Sequence, residues 1–252
     1  RWADRLLQGR GWLLLYDDDS WPEPGCIDTF RKAAPGYQQQ GVAAVGAAVL
    51  DTRGRPVESN RPVLNLFRRP GEVLAITSQG WRCWRDFYHV PHRILLRRGQ
   101  KVRVDAVSFV GLFLQLEALP RRRGRYPRGG LFLYSDDTTY TLDLGRKGRR
   151  MILDSDLIFR HNTTGGGAAA TWLNPLWKHY YVVRNSFLMN HSLSSAIYLP
   201  LCVITVAVHA YRAVLRIFLY GDARLWKLVW LAAYDGVRNN YSRRHEALTG
   251  ER

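Results

Sequence analysis

Cysteine is scarce in this 252-residue chain, and Cys26, Cys83 and Cys202 are odd in number and widely separated. That excludes a disulfide framework and a thiolate metal cluster, and it fits a reducing compartment. Acidic residues are also in deficit: 21 stand against 37 basic ones, for a formal net charge of +16. Nearly all the basic residues are arginine. Such a surface attracts polyanions (nucleic acid, anionic lipid headgroups or phosphorylated substrates), and charge does not choose among them. Long apolar runs are missing too. The apolar run Ser192 to Val208 falls short of the roughly 20 residues of a spanning helix, and Pro200 interrupts it. With 46% hydrophobic residues, the chain can build one large domain, or a domain with an appendage.

What is present is an apolar run with an acidic end. Trp12-Leu13-Leu14-Leu15-Tyr16 leads into Asp17-Asp18-Asp19-Ser20. A short continuous apolar run suits a buried strand. Three adjacent carboxylates repel one another and resist desolvation, so they belong at a strand end that opens on a cleft. In open α/β sheets ligands bind at such ends. Hard oxygen ligands suit Mg²⁺ or Mn²⁺, which often bridge to substrate phosphates. A solvated acidic loop closing an ordinary strand has the same sequence.

The next segments alternate in type. Trp21-Pro22-Glu23-Pro24-Gly25 reads as a turn that starts a helix packing on Ile27, Phe30, Ala33 and Ala34 and ending at Pro35-Gly36. Val42 to Leu50 reads as a second buried strand, and this strand–helix–strand order predicts a parallel sheet. Val63–Phe67, Val73–Ile76 and Val102–Val107 look like strands, and Leu112 to Leu119 looks helical. Trp81, Trp84, Phe87 and Tyr88 form either a substrate-facing loop or a satellite hydrophobic cluster. Arg121 to Gly130 is a basic loop too rich in glycine and proline for regular structure.

A second run repeats the first pattern. Leu131-Phe132-Leu133-Tyr134-Ser135 ends in Asp136-Asp137, and a helix through Tyr140, Leu142 and Leu144 follows. Ser135 or Asp136 is placed to cap that helix. A cap does not require two acids. A carboxylate held near another has its pKa pushed upward, which suits a general base. Further on, apolar runs lead to Arg160-His161-Asn162 and then to the glycine-rich Thr163–Gly167, which reads as a mobile lid or a linker.

In this order, the Asp triplet after an apolar strand, Ser108-Phe109-Val110-Gly111, Leu131 to Asp137, and the later histidine resemble family-2 glycosyltransferases. The likeness is especially to bacterial rhamnosyl- and galactofuranosyltransferases. Trp177-Lys178-His179-Tyr180-Tyr181-Val182-Val183-Arg184-Asn185-Ser186 resembles the aromatic-Arg-Asn segment of the same group. The resemblance covers roughly residues 1–190. It implies a GT-A fold, a mostly parallel sheet flanked by helices, and inverting transfer of a rhamnose- or galactofuranose-type sugar. The donor it implies is a UDP- or dTDP-linked nucleotide-sugar, and the acceptor is a glycan or lipid-linked. By the same resemblance Asp17, Asp19 and His161 hold Mg²⁺ or Mn²⁺, Asp18 lies by the donor diphosphate, and Asp137 is the catalytic base with Asp136 orienting the acceptor. Trp81, Trp84, Ser108 and Gly111 are acceptor-side candidates. Where the family often carries a further acid, this chain has Thr138-Thr139-Tyr140. The family's first nucleotide-binding strands have no counterpart here, so we expect the chain to be a fragment lacking them.

The expected division is a catalytic portion over residues 1–171 and a helical region over 172–252. Basic and aromatic residues follow the apolar run in that region: Arg212, Arg216, Arg224, Trp226, Lys227 and Trp230. Arginine and tryptophan beside apolar faces fit a helix lying in an anionic membrane interface, or a helical hairpin packed on the core or on a second copy. With a lipid-linked acceptor, the location implied is cytoplasmic, peripheral at the inner face of the plasma membrane. Two other classes compete with an enzyme. One is an arginine-rich nucleic-acid binder, against which the scattering of the arginines argues. The other is a membrane-associated scaffold without catalysis.

Overall fold

The computed structural model describes residues 5–78, 88–120, 126–131, 134–162, 175–243 and 245–249. Trp81 and Trp84, most of the arginine-rich loop and the glycine-rich stretch after Asn162 lie outside them. The chain divides into two compact units, Arg1–Tyr126 with Tyr140–Gly165, and Pro127–Thr139 with Gly166–Arg252.

The first unit is built on a mixed, strongly curled six-stranded sheet. Its strands are β1 (Trp12–Leu15), β2 (Ser20–Pro22), β3 (Val42–Leu50), β4 (Lys101–Val104), β5 (Leu112–Gln115) and β6 (Arg150–His161). The order is β1-β5-β3-β6-β2, with β4 also on β6. β3 is buried at all nine positions, as its unbroken apolar sequence requires of a central strand. Its alternate residues feed two cores. Ala44 and Ala48 face one with Leu112, Leu114 and Leu153, and Val45, Ala47 and Val49 face the other with Phe30, Tyr37 and Phe113.

The expectation of a mostly parallel sheet is corrected. Among the described residues only β3 and β6 pair in parallel, and the other strand pairings are antiparallel. β1 and β3 do run the same way, as the strand–helix–strand order predicts, but β5 inserts between them and opposes both. β5 is also why the helix expected over Leu112–Leu119 is absent. A four-residue apolar run has no period of its own, and two flanking strands satisfy its backbone as a third strand. Gly111 turns into it at φ 70°, where an added Cβ would lie 2.9 Å from Ala47 Cβ.

Helix boundaries also move. Helix α1 (Cys26–Gln39) runs through Pro35 instead of ending there. Phe30 and Tyr37 lie on one face and are buried, and the Tyr37 hydroxyl donates to buried Asp154, which holds the last turn despite the lost backbone donor. Residues 73–76 are not a strand but part of helix α2 (Pro70–Thr77), with Pro70 at its first turn, where a missing N–H costs nothing. Val63 makes only isolated bridges, to His89 and Ala106. Helix α3 (His92–Leu96) and helix α4 (Asp136–Arg146) follow, the latter as expected from its sequence.

β6 is the long strand that positions the site. Its parallel register with β3 steps from Ala47↔Asp154 to Ala48↔Ile158, so Ser155-Asp156-Leu157 bulge out of the ladder. The bulge is pinned: Ser155 Oγ donates to Arg97 O at 2.7 Å, and Gly99 N donates to Asp156 Oδ1 at 2.9 Å. It divides one edge of β6 between two partners. β4 takes Met151–Asp154, and β2 takes Phe159–His161.

The second unit contains helices α5 (Trp177–Leu193), α6 (Tyr198–Tyr220), α7 (Arg224–Val237) and the short α8 (Glu246–Thr249). Pro200 does not interrupt α6 but sits in its first turn. α6 is therefore 23 residues long, longer than the expected run. Asp235 of α7 is fully buried. It accepts from Tyr180 Oη at 2.6 Å, Arg243 Nε at 2.6 Å and Asn240 Nδ2 at 3.0 Å. Burial alone would raise its pKa, but these donors bring it below the usual carboxylate range.

Candidate metal centre

The Asp triplet occupies a tight turn between two strands. Ser20 N donates to Asp17 O at 3.1 Å, and the buried Ser20 Oγ accepts from Asp17 N at 3.0 Å and donates to Asp17 O at 2.9 Å. One serine thus closes the turn from both backbone and side chain. The apolar residues before it are drawn into the sheet, and the acids stay at its rim.

The turn then enters β2, whose pairing with β6 sets Ser20 opposite His161. Asn162 N donates to Asp19 O at 2.9 Å and extends the pairing by a step. This register brings the carboxylates and the histidine together. One ligand atom from each of Asp17, Asp19 and His161 lies within 4.8 Å of the other two. His161 Nε2 is 3.2 Å from Asp19 Oδ1.

The imidazole is also oriented from behind. Asn60 is buried, and its Oδ1 is 2.9 Å from His161 Nδ1 while its Nδ2 donates to Ser108 Oγ at 3.0 Å. With the amide held this way, its Oδ1 is the acceptor for Nδ1, and the ring turns Nε2 toward the carboxylates. Ligating histidines are held by such outer hydrogen bonds.

The residues fit a hard divalent cation. Two carboxylate oxygens and one imidazole nitrogen suit Mg²⁺ or Mn²⁺ better than a soft metal. In an octahedral sphere of such an ion, neighbouring ligand atoms lie about 3 Å apart and opposite ones about 4 Å, so small side-chain adjustments would bring these three groups, all within 4.8 Å of one another, onto one ion. Asp17 and Asp19 are exposed, which leaves room for water or phosphate oxygens in the remaining positions. Asp18 is exposed at the crest of the turn and is not one of the three converging groups. A cleft of ≈ 460 Å³, lined by Trp12, Phe30, Pro35 and Phe113 among others, includes none of the three residues.

Ser108 and Gly111, expected on the acceptor side, are both buried. Ser108 supports Asn60, and Gly111 packs against Phe159 and Ala47. Sequence reasoning missed Asn60 and the turn-closing role of Ser20. Nothing in the chain near Asn60 marks it, since its partner lies far along the sequence. Ser20 could have been read from the Asp-x-x-Ser spacing, which is typical of a side-chain-closed turn.

Asp136 and Asp137 begin α4, and residues up to Thr139 belong to the second unit. Both are half-buried, and Asp137 Oδ1 accepts from Thr138 N. The backbone just before them is unusual: Tyr134 and Ser135 have φ of 59° and 63°, left-handed values that side-chain-bearing residues seldom adopt. α5 holds that segment. Asn185 Nδ2 donates to Tyr134 O at 2.9 Å, and Arg184 Nη2 to Gly130 O at 3.4 Å. The buried Arg184 guanidinium lies 5.0 to 5.3 Å from the ring centres of Tyr180, Tyr181 and Tyr241. The Arg-Asn pair noticed in the sequence is thus what sets the loop ahead of the two acids.

Neither a protein-family model nor a curated protein sequence matches this chain.

Proposed function

We propose that this chain belongs to a metal-dependent glycosyltransferase that moves a sugar from a nucleotide-sugar to a hydroxyl acceptor with inversion. The observation that carries the proposal is the convergence of Asp17, Asp19 and His161 at the end of an apolar strand, with Asn60 behind the histidine. Its support from sequence is the order of motifs shared with family-2 glycosyltransferases, including the Asp136-Asp137 pair and Arg184-Asn185.

In this reading Asp17, Asp19 and His161 would hold Mg²⁺ or Mn²⁺. When bound, the cation supplies positive charge to the diphosphate that departs with the nucleoside. Asp137 accepts the proton of the acceptor hydroxyl as that oxygen bonds to the anomeric carbon. The bond from the anomeric carbon to the diphosphate oxygen breaks on the opposite face, and the nucleoside diphosphate leaves with the electron pair. Asp136 orients the acceptor. The sugar, of rhamnose or galactofuranose type, and the glycan or lipid-linked acceptor follow from the resemblance.

The test is turnover of a panel of UDP- and dTDP-sugars with Mn²⁺. Asp137→Asn is expected to lower turnover by roughly 100-fold or more while leaving Mn²⁺ binding intact. Equal turnover in that variant removes the base assignment. No turnover with any donor, together with salt-sensitive binding to duplex or single-stranded nucleic acid, replaces the enzyme reading with a nucleic-acid binder.

A further inference from the structure

α6 is amphipathic in the wrong sense for a water-soluble helix. Its packed side carries Cys202, His209, Ala213 and Arg216, all buried. Its outward side carries Leu199, Val203, Ile204, Val208, Tyr211 and Phe218, which share one broad face of the helix and are 44–83% exposed. The polar His209 and Arg216 face in, and large apolar side chains face out. Only 22% of its most apolar stretch is buried.

α7 does the same with aromatic residues. Trp226, Trp230, Tyr234 and Val237 recur at helical spacing and are exposed, while Leu225, Val229, Ala232 and Asp235 are buried. The two indoles pack edge to face with ring centres 5.6 Å apart. Large apolar side chains exposed in such number along two helices mark an interaction face.

The charges around it select the partner. Arg224, Lys227 and Arg238 are exposed on and beside the aromatic face. Both carboxylates of α6, α7 and their connection are turned away. Asp222 is taken up by Arg216 and Arg224 and its side chain is 14% exposed, while Asp235 is buried at 0%. Beside the exposed tryptophan and tyrosine stand Lys227 and Arg238, which no outward carboxylate of α6, α7 or their connection opposes. A second copy would bring cations against cations. An anionic lipid surface meets them with opposite charge and takes indole and phenol rings at headgroup depth.

The geometry points to α6 and α7 as a docking surface for an anionic phospholipid bilayer, lying in the interface rather than crossing it. From its start to Arg212, α6 is free of charge for about 14 residues, roughly 21 Å, against a hydrocarbon core of about 30 Å. Its inner side is committed to packing within the unit through Cys202 and Ala213. This inference stands independently of sugar transfer.

The experiment is flotation of the full chain with two kinds of vesicle, phosphatidylcholine alone and equal parts phosphatidylcholine and phosphatidylglycerol. Partitioning to the mixed vesicles is expected to exceed that to phosphatidylcholine by at least about tenfold. Lys227→Glu is expected to lower it by about tenfold on the mixed vesicles only. Phe218→Ser with Trp230→Ser is expected to lower it by at least about tenfold on both, with an unchanged circular dichroism spectrum because both side chains point outward. The inference is overturned if the wild-type chain stays in the lipid-free fraction, or if the double variant floats like wild type. It is also overturned if light scattering without vesicles shows a dimer that the double variant dissolves, since a second copy then covers the face.

Discussion

Ser20 lies directly opposite His161 across the antiparallel pairing of β2 with β6, although most of the chain separates them. That register joins the acidic turn to the histidine. It depends on the bulge at Ser155–Leu157, after which one edge of β6 is left for β2. The candidate metal centre is thus a consequence of sheet topology rather than of local sequence.

Asn60 is expected to matter for metal binding without contacting the metal. Asn60→Ala removes the acceptor of His161 Nδ1–H and frees the ring to turn or change tautomer. Mn²⁺ affinity is expected to fall by about 10- to 100-fold, while stability falls by only about 1 to 3 kcal/mol through the lost amide. Calorimetric titration and urea unfolding measure the two effects. Unchanged Mn²⁺ affinity in a folded variant would remove the supporting role.

Gly46 is required by a close approach. A Cβ at this position of β3 would lie 2.2 Å from Val107 Cγ1, deep in the sheet. Gly46→Ala is expected to destabilise the chain by about 1 to 3 kcal/mol through overpacking. Adding Val107→Ala makes room, so the double variant is expected to be more stable than the sum of the two single changes predicts. A strictly additive pair in urea unfolding would contradict the contact.

The second unit is expected to lose stability in mild acid. His209 is buried against His179, with the two Nδ1 atoms 3.2 Å apart. Burial, then the neighbouring His179 and Arg212, push its pKa from its ordinary 6.5 down to about 4. Between these values the unfolded chain binds a proton that the folded chain excludes. Stability therefore falls as pH drops from about 6.5 to about 4, by on the order of 3 kcal/mol, and this contribution falls no further below. His209→Gln, which cannot titrate, is expected to flatten that part of the profile. A wild-type profile no steeper than that of the variant would sink the assignment.

Much of the first unit was legible in its apolar runs. Val42–Leu50 can only be a central strand, and Trp12–Leu15 announces itself by stopping just short of the acids. Leu112–Gln115 was not legible, because a short apolar run becomes strand or helix according to what flanks it, and β1 and β3 decide that. Pro70 and Pro200 mislead unless read as first-turn residues, and Pro35 misleads because tertiary burial of Tyr37 outweighs it. Of the site, the candidate ligands are visible as residue types, but Asn60 is not. Its role exists only once Glu58–Asn60 and the end of β6 have met.

The central claim is that Asp17, Asp19 and His161 hold one divalent cation. Titrating Mn²⁺ into the full chain, with free Mn²⁺ read by electron paramagnetic resonance, tests it most directly. The account predicts saturable binding of a single equivalent, weakened at least about 100-fold by Asp19→Asn with His161→Ala. Binding that this double variant leaves unchanged, or no binding by the folded wild-type chain, would contradict it.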